Sequence, residues 1–135
     1  MFLRRRTHFE SSNTVDARPN VIFSDILYAN MIFDDKIRMI VGRVTEEYGP
    51  EAIIVFGSAA RGEATEDSDL DIAIIMDSDL PEHERNVKMR ACIGPIGMAM
   101  DLLVFTPEEV DAGKNDETSL ISEIIRTGEV VYGSA

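Results

Sequence analysis

Two aspartates one residue apart, Asp69 and Asp71, follow a Gly57-Ser58 turn after a gap of ten residues, and a third, Asp101, stands alone in a later apolar run. Side chains alternate across a strand, so Asp69 and Asp71 are expected on one face, with Cα atoms roughly 6.5 Å apart, and Leu70 and Ile72 on the other. Two carboxylates sharing a face repel each other unless a cation or a proton lies between them. Oxygen-only donors at this spacing suit Mg²⁺ or Mn²⁺, which keep several waters and take other ligands from substrate phosphates. Gly57 lacks a Cβ and lets a phosphate approach the backbone. Ser58 adds a hydroxyl and an N–H ahead of a short helix whose N-terminus attracts anions. Together these residues can hold a metal-bound triphosphate such as ATP. The plain alternative is a solvated acidic turn, and the upstream Gly-Ser turn weighs against it.

Asp101 is the only charged residue between Met98 and Phe105. A buried, unpaired carboxylate is costly, so Asp101 must face a cation, a strong donor or water. If its strand lies beside Leu70–Met76, three carboxylates converge and make a site for two divalent ions. One would bind the nucleotide phosphates and the other activate an attacking hydroxyl. The rival account pairs Asp101 with a structural Arg or Lys. Arg61 can reach phosphate oxygens or bridge to the acidic stretch 63–67. Gly62 ends the short helix, and Ser68 caps or hydrogen-bonds Asp71. His8 and His83 stand in polar contexts without a partner pattern, and Cys92 reads as packing.

Helical spacing and end signals suggest a short helix over Ser24–Asn30 and a stronger one from Asp34, read as its cap, to Tyr48. Gly49-Pro50 stops the second. Ala52–Phe56 and Leu70–Met76 are short, β-branched runs that read as buried strands. Pro81 opens a helix from Glu82 to Ile93 whose charges complement its dipole. A third strand is expected over Met98–Phe105. Thr106-Pro107-Glu108-Glu109 is a capping box for a helix ending near Gly113. A last helix containing Leu120, Ile121, Ile124 and Ile125 is closed by Gly128, before a strand over Glu129–Tyr132. The alternation implies one layered α/β or α+β domain over residues 21–135, preceded by a mobile arm over residues 1–20.

The chain has 135 residues, 44% of them hydrophobic and 28% charged, the balance of an ordinary globular domain. One cysteine and no Cys/His cluster exclude a disulfide scaffold and a structural zinc site. No apolar stretch is long enough to span a membrane, and no signal core follows Arg4-Arg5-Arg6, so a cytoplasmic location is expected. The formal net charge of −12 argues against nonspecific nucleic-acid binding. It suits a basic partner protein, or merely a well-solvated surface.

The segments Ile53–Gly62, Ser68–Ile74 and Asp101–Val104, with the ending Ile121–Tyr132, resemble the minimal nucleotidyltransferases of the DNA polymerase β-like superfamily. The resemblance runs from about Asp34 to Tyr132, and all three acidic positions are filled. It implies a small mixed sheet flanked by helices and transfer of a nucleoside monophosphate from an NTP to a hydroxyl, releasing pyrophosphate. Carried over by position, Asp69 and Asp71 bind metal, Asp101 completes the metal site or helps deprotonate the acceptor, and Gly57 and Ser58 hold the triphosphate. Many short members are encoded with a HEPN-type ribonuclease toxin, which they neutralise as antitoxins by adenylylating a hydroxyl side chain. Two alternatives stand beside that expectation. One is modification of a small molecule such as an aminoglycoside, with an acceptor pocket at a homo-oligomer interface. The other is a non-catalytic antitoxin that acts by contact alone.

Overall fold

The computed structural model describes residues 23–65 and 67–134, with side chains from Met31 onward. The expected arm, with Arg4-Arg5-Arg6 and His8, lies outside these residues. Helix α1 (Phe23–Glu47) is continuous. The break expected between Asn30 and Asp34 is absent, and Asp34 lies inside the helix rather than at its cap. Neither Gly nor Pro occurs between Phe23 and Val41. The weak helix preference of an isolated Asn or Asp costs only tenths of a kcal/mol, about what packing readily outweighs.

The chain then alternates through β1 (Ala52–Phe56), α2 (Ser58–Arg61), β2 (Leu70–Ile75), α3 (Glu82–Ile93), β3 (Met100–Phe105), α4 (Pro107–Gly113), α5 (Leu120–Thr127) and β4 (Glu129–Gly133). The third strand begins two residues later than expected because Gly97, with φ of 82°, bends the chain before it. The four strands form one mixed sheet in the order β3-β2-β1-β4. β1 pairs antiparallel with β2 and β4, and β2 pairs parallel with β3 through the α3 crossover. This is an α+β arrangement, a small mixed sheet flanked by helices, as expected from the resemblance.

Strand alternation divides the core between two faces. Ile53, Val55, Leu70, Ile72, Ile74, Leu102 and Val104 pack against Phe33, Ile37, Ile40 and Val44 of α1 and Met89 and Ile93 of α3. On the other face Ala52, Ile54, Ala73 and Ile75 pack with Ile124 of α5, flanked by half-buried Phe56, Leu103 and Phe105. Gly128 permits the close approach of α5 to β1, since a Cβ there would stand 2.6 Å from Ile54 Cγ2. Among the described residues no helix is long and apolar enough to cross a membrane.

Candidate active site

β1 runs opposite to β2 and β3, so its C-terminal end meets their N-terminal ends. Phe56 stands in register with Asp71, and Asp71 in register with Asp101. Both aspartates alternate with residues of the α5-side core, Ala73 and Ile75 on β2 and Leu103 and Phe105 on β3. Both carboxylates therefore lie on that face, at the end of the sheet where β1 gives way to the Gly57 turn. Asp101 is exposed rather than buried and makes no ion pair with Lys or Arg among the described residues. Its side chain instead shares a hydrogen bond with that of Asp71.

Asp71 is half-buried, and its carboxyl is pushed up to about 6 from an ordinary 3.8. Burial is the largest cause, followed by the charge of Asp101, the hydrogen bond between the two carboxyls, and the charge of Asp69. Arg61 opposes them. The triad expected from the sequence is thus a contacting pair with a third carboxylate in electrostatic range. No group of three metal-ligating side chains is formed among the described residues. The physical reason is local: the β2 ladder begins at Leu70, so Asp69 precedes it and strand pleating does not fix its direction.

The turn that follows β1 is built around the same carboxylate. Gly57 has φ of 72°, a conformation that L side chains rarely adopt, and a Cβ there would overlap the Asp71 carboxylate. Ser58 opens α2, Ala59 anchors that helix in the core, and Gly62 ends it in the left-handed conformation. Arg61 donates through Nε to Glu63 Oε1 at 2.9 Å, the acidic-stretch bridge, with both side chains exposed. Ser68 caps the loop rather than bonding Asp71, its hydroxyl accepting from the Thr65 N–H at 2.9 Å. His83 is exposed on α3. Cys92 is half-buried, donates to the Arg43 carbonyl at 3.6 Å, and has its thiol pushed up by burial and then by Glu47.

A partly buried ion pair escaped the sequence reading. Arg85 on α3, 6% exposed, donates to both carboxylate oxygens of Glu109 at 3.0 and 2.9 Å. Glu109 also accepts from the Thr106 N–H, closing the capping box of α4. Burial raises the Glu109 carboxyl, but Thr106 and Arg85 outweigh it and hold the group below its usual range. The pair fastens α3 to α4 beneath the far end of β3.

Residues 37–126, about two thirds of the chain, match the family described as the nucleotidyltransferase domain, and the chain belongs to that family. Such domains act on nucleoside triphosphates with divalent metals. In structure the chain is similar to a protein from Sulfolobus solfataricus assigned as a nucleotidyltransferase, with a TM-score of 0.59. Identity is 18%, across 84% of this chain and 90% of that one, so the likeness shows the fold. A toxin–antitoxin crystallised with AMP-PNP superposes more loosely, with a TM-score of 0.48 and 19% identity over 72% of this chain and 73% of that one. No curated protein sequence matches the chain.

Proposed function

We propose that this chain is a Mg²⁺-dependent adenylyltransferase that moves AMP from ATP to a hydroxyl side chain of a partner protein. In this reading it is the antitoxin that so neutralises a HEPN-type ribonuclease toxin. The observation that carries the transfer chemistry is the in-register pair Asp71–Asp101 set directly against the Gly57 turn. The antitoxin role and the HEPN partner rest on the sequence resemblance.

Support for a divalent cation comes from the donor set and its surroundings. The two contacting carboxyls raise the proton affinity of Asp71, which is the behaviour of an acidic site lacking its counter-charge. The space a Cβ would fill at Gly57 is taken by the Asp71 carboxylate itself, so that acid sits directly against the turn backbone where phosphate would bind. Asp69, Asp71 and Asp101 would hold two Mg²⁺ ions, with Mn²⁺ as a substitute, and Asp69 is not tied to the ladder and can close on an ion. When bound, the metal neutralises triphosphate charge and makes the acceptor hydroxyl easier to deprotonate. Gly57 and Ser58 bind phosphate oxygens through the turn, and Arg61 contributes a guanidinium from the same short helix.

Asp101 takes the proton of the acceptor hydroxyl while its oxygen attacks the α-phosphorus. The bond from that phosphorus to the bridging oxygen of the β-phosphate breaks, and pyrophosphate leaves. The test is incubation of the purified chain with α-labelled ATP, Mg²⁺ and a candidate toxin. One or more AMP units should appear on the toxin by intact mass, and Asp71→Asn or Asp101→Asn should abolish them. A toxin that stays unmodified yet is neutralised equally by wild type and Asp71→Asn would replace transfer with neutralisation by contact.

A further inference from the structure

A cavity of about 120 Å³ lies at the end of the sheet opposite the acid pair. Met76, Met89 and Val104 give it an apolar wall. Met76 follows the end of β2, about 16 Å along the strand from Asp71. Met89 and Val104 belong to the α1/α3-side core, so the cavity and the acid pair also lie on opposite faces. Nothing in the transfer chemistry above uses it.

One of its lining residues is Arg85, only 6% exposed. Arg85 Nη2 donates to both Glu109 oxygens, and Nη1 donates to the Leu80 carbonyl at 3.4 Å. Its Nε is buried with no hydrogen-bond partner among the described residues. Native proteins rarely leave a buried donor so, because it has given up water for nothing. The other polar side chains of the lining, Tyr48, Ser78 and Lys88, can all donate as well. Burial, and then the charge of Glu47, pushes the Tyr48 hydroxyl up, so it stays neutral. Ser78 Oγ accepts from the Leu80 N–H at 3.1 Å, which leaves its own proton to give. Lys88 stands three residues along α3 from Arg85, on the same side of the helix. It is exposed and forms no ion pair among the described residues, with Glu84 or any other acid. No Asp or Glu lines the cavity. Glu109 offsets the charge of Arg85, so Lys88 leaves the lining with one positive charge in excess.

We propose that this cavity binds a small monocarboxylate, an apolar body carrying one carboxylate group. The carboxylate accepts from Arg85 Nε, the Ser78 hydroxyl and Lys88, while the body packs against Met76, Met89 and Val104. A cavity of about 150 Å³ takes a benzene ring, so this one suits a body of roughly that size or slightly less. A lone water would satisfy Nε but leave the apolar wall uncovered. The site is independent of the transferase reading.

The test is a titration of the ¹⁵N-labelled full chain, read by amide chemical shifts. The ligands are benzoate, acetate, benzylammonium and a short peptide ending in phenylalanine with a free carboxylate. Benzoate should shift the amides of Leu80, Arg85 and Met89 and bind about tenfold tighter than acetate or benzylammonium. Arg85→Lys keeps a cation for Glu109 but removes the Nε donor, and it should weaken benzoate about tenfold. Lys88→Gln should do the same, and its exposed, unpaired side chain guards against a folding artefact. The peptide separates two sources of one chemistry. If it binds tighter than benzoate the ligand is a chain terminus, and if weaker it is a free acid. Failure of both benzoate and the peptide to bind leaves the cavity to water and overturns the proposal. So does equal affinity for benzoate and benzylammonium, or benzoate binding that neither substitution alters.

Discussion

Asp71 governs the electrostatics of the site because its neighbours make ionisation costly. Its folded carboxyl, at about 6, lies above the ordinary 3.8, so folding favours the protonated form. The stabilising contribution of this group is complete below the unfolded value and is lost as pH rises through the folded one. In metal-free protein, the thermal midpoint of wild type relative to Asp71→Asn should therefore fall between about pH 4 and about pH 7. Parallel profiles for the two proteins would contradict the assignment. Mg²⁺ should raise the wild-type midpoint more at about pH 7 than at about pH 4, because a bound cation offsets the repulsion. Gly57→Ala would strain the turn and push against the same carboxylate. Transfer should fall about a hundredfold in kcat/KM, the scale of a misplacement near 1 Å. Unimpaired turnover would show that the close approach is dispensable. Residue types made the Gly-Ser turn and the acidic pair legible in the sequence. They did not reveal that Asp69 stays outside the ladder or that Asp71 and Asp101 share one register position, since register is a property of paired strands.

The elements were most legible where their end signals are local. Pro81 and the charges around it mark α3, Thr106–Glu109 caps α4, and Gly128 closes α5. α1 was harder to read because Asn30 and Asp34 mimic a boundary, although no breaker lies between the expected halves. The Arg85–Glu109 pair was hidden because its partners come from different helices. It yields a prediction at this scale. Arg85→Ala removes a buried side chain and its charged hydrogen bonds but leaves a Glu109 carboxylate that water can reach, so it should cost roughly 2 kcal/mol in urea unfolding. Thr106→Ala, which removes a helix cap, should cost about 1 kcal/mol. Both groups act through Glu109, so the double variant should depart from the sum. A cost well below 1 kcal/mol for Arg85→Ala, roughly the worth of an exposed pair, would mean that this contact does not fasten α3 to α4.

At the scale of the whole molecule, the parallel pairing of β2 and β3 follows from the helical crossover that joins them. The strand order and the placement of β4 beside β1 rest on packing that no local pattern encodes. Topology turns separate motifs into one site: the end of β1 and the starts of β2 and β3 meet at one end of the sheet. α1 and α3 close one face behind the acids, and the α5-side face carries them. Calorimetric titration of a non-hydrolysable ATP analogue, with and without Mg²⁺, tests this arrangement most directly. Binding to wild type should require Mg²⁺ and weaken at least about tenfold in both Asp71→Asn and Asp101→Asn. Equal affinity in wild type and both variants, or binding indifferent to Mg²⁺, would contradict a metal-nucleotide site at the paired aspartates.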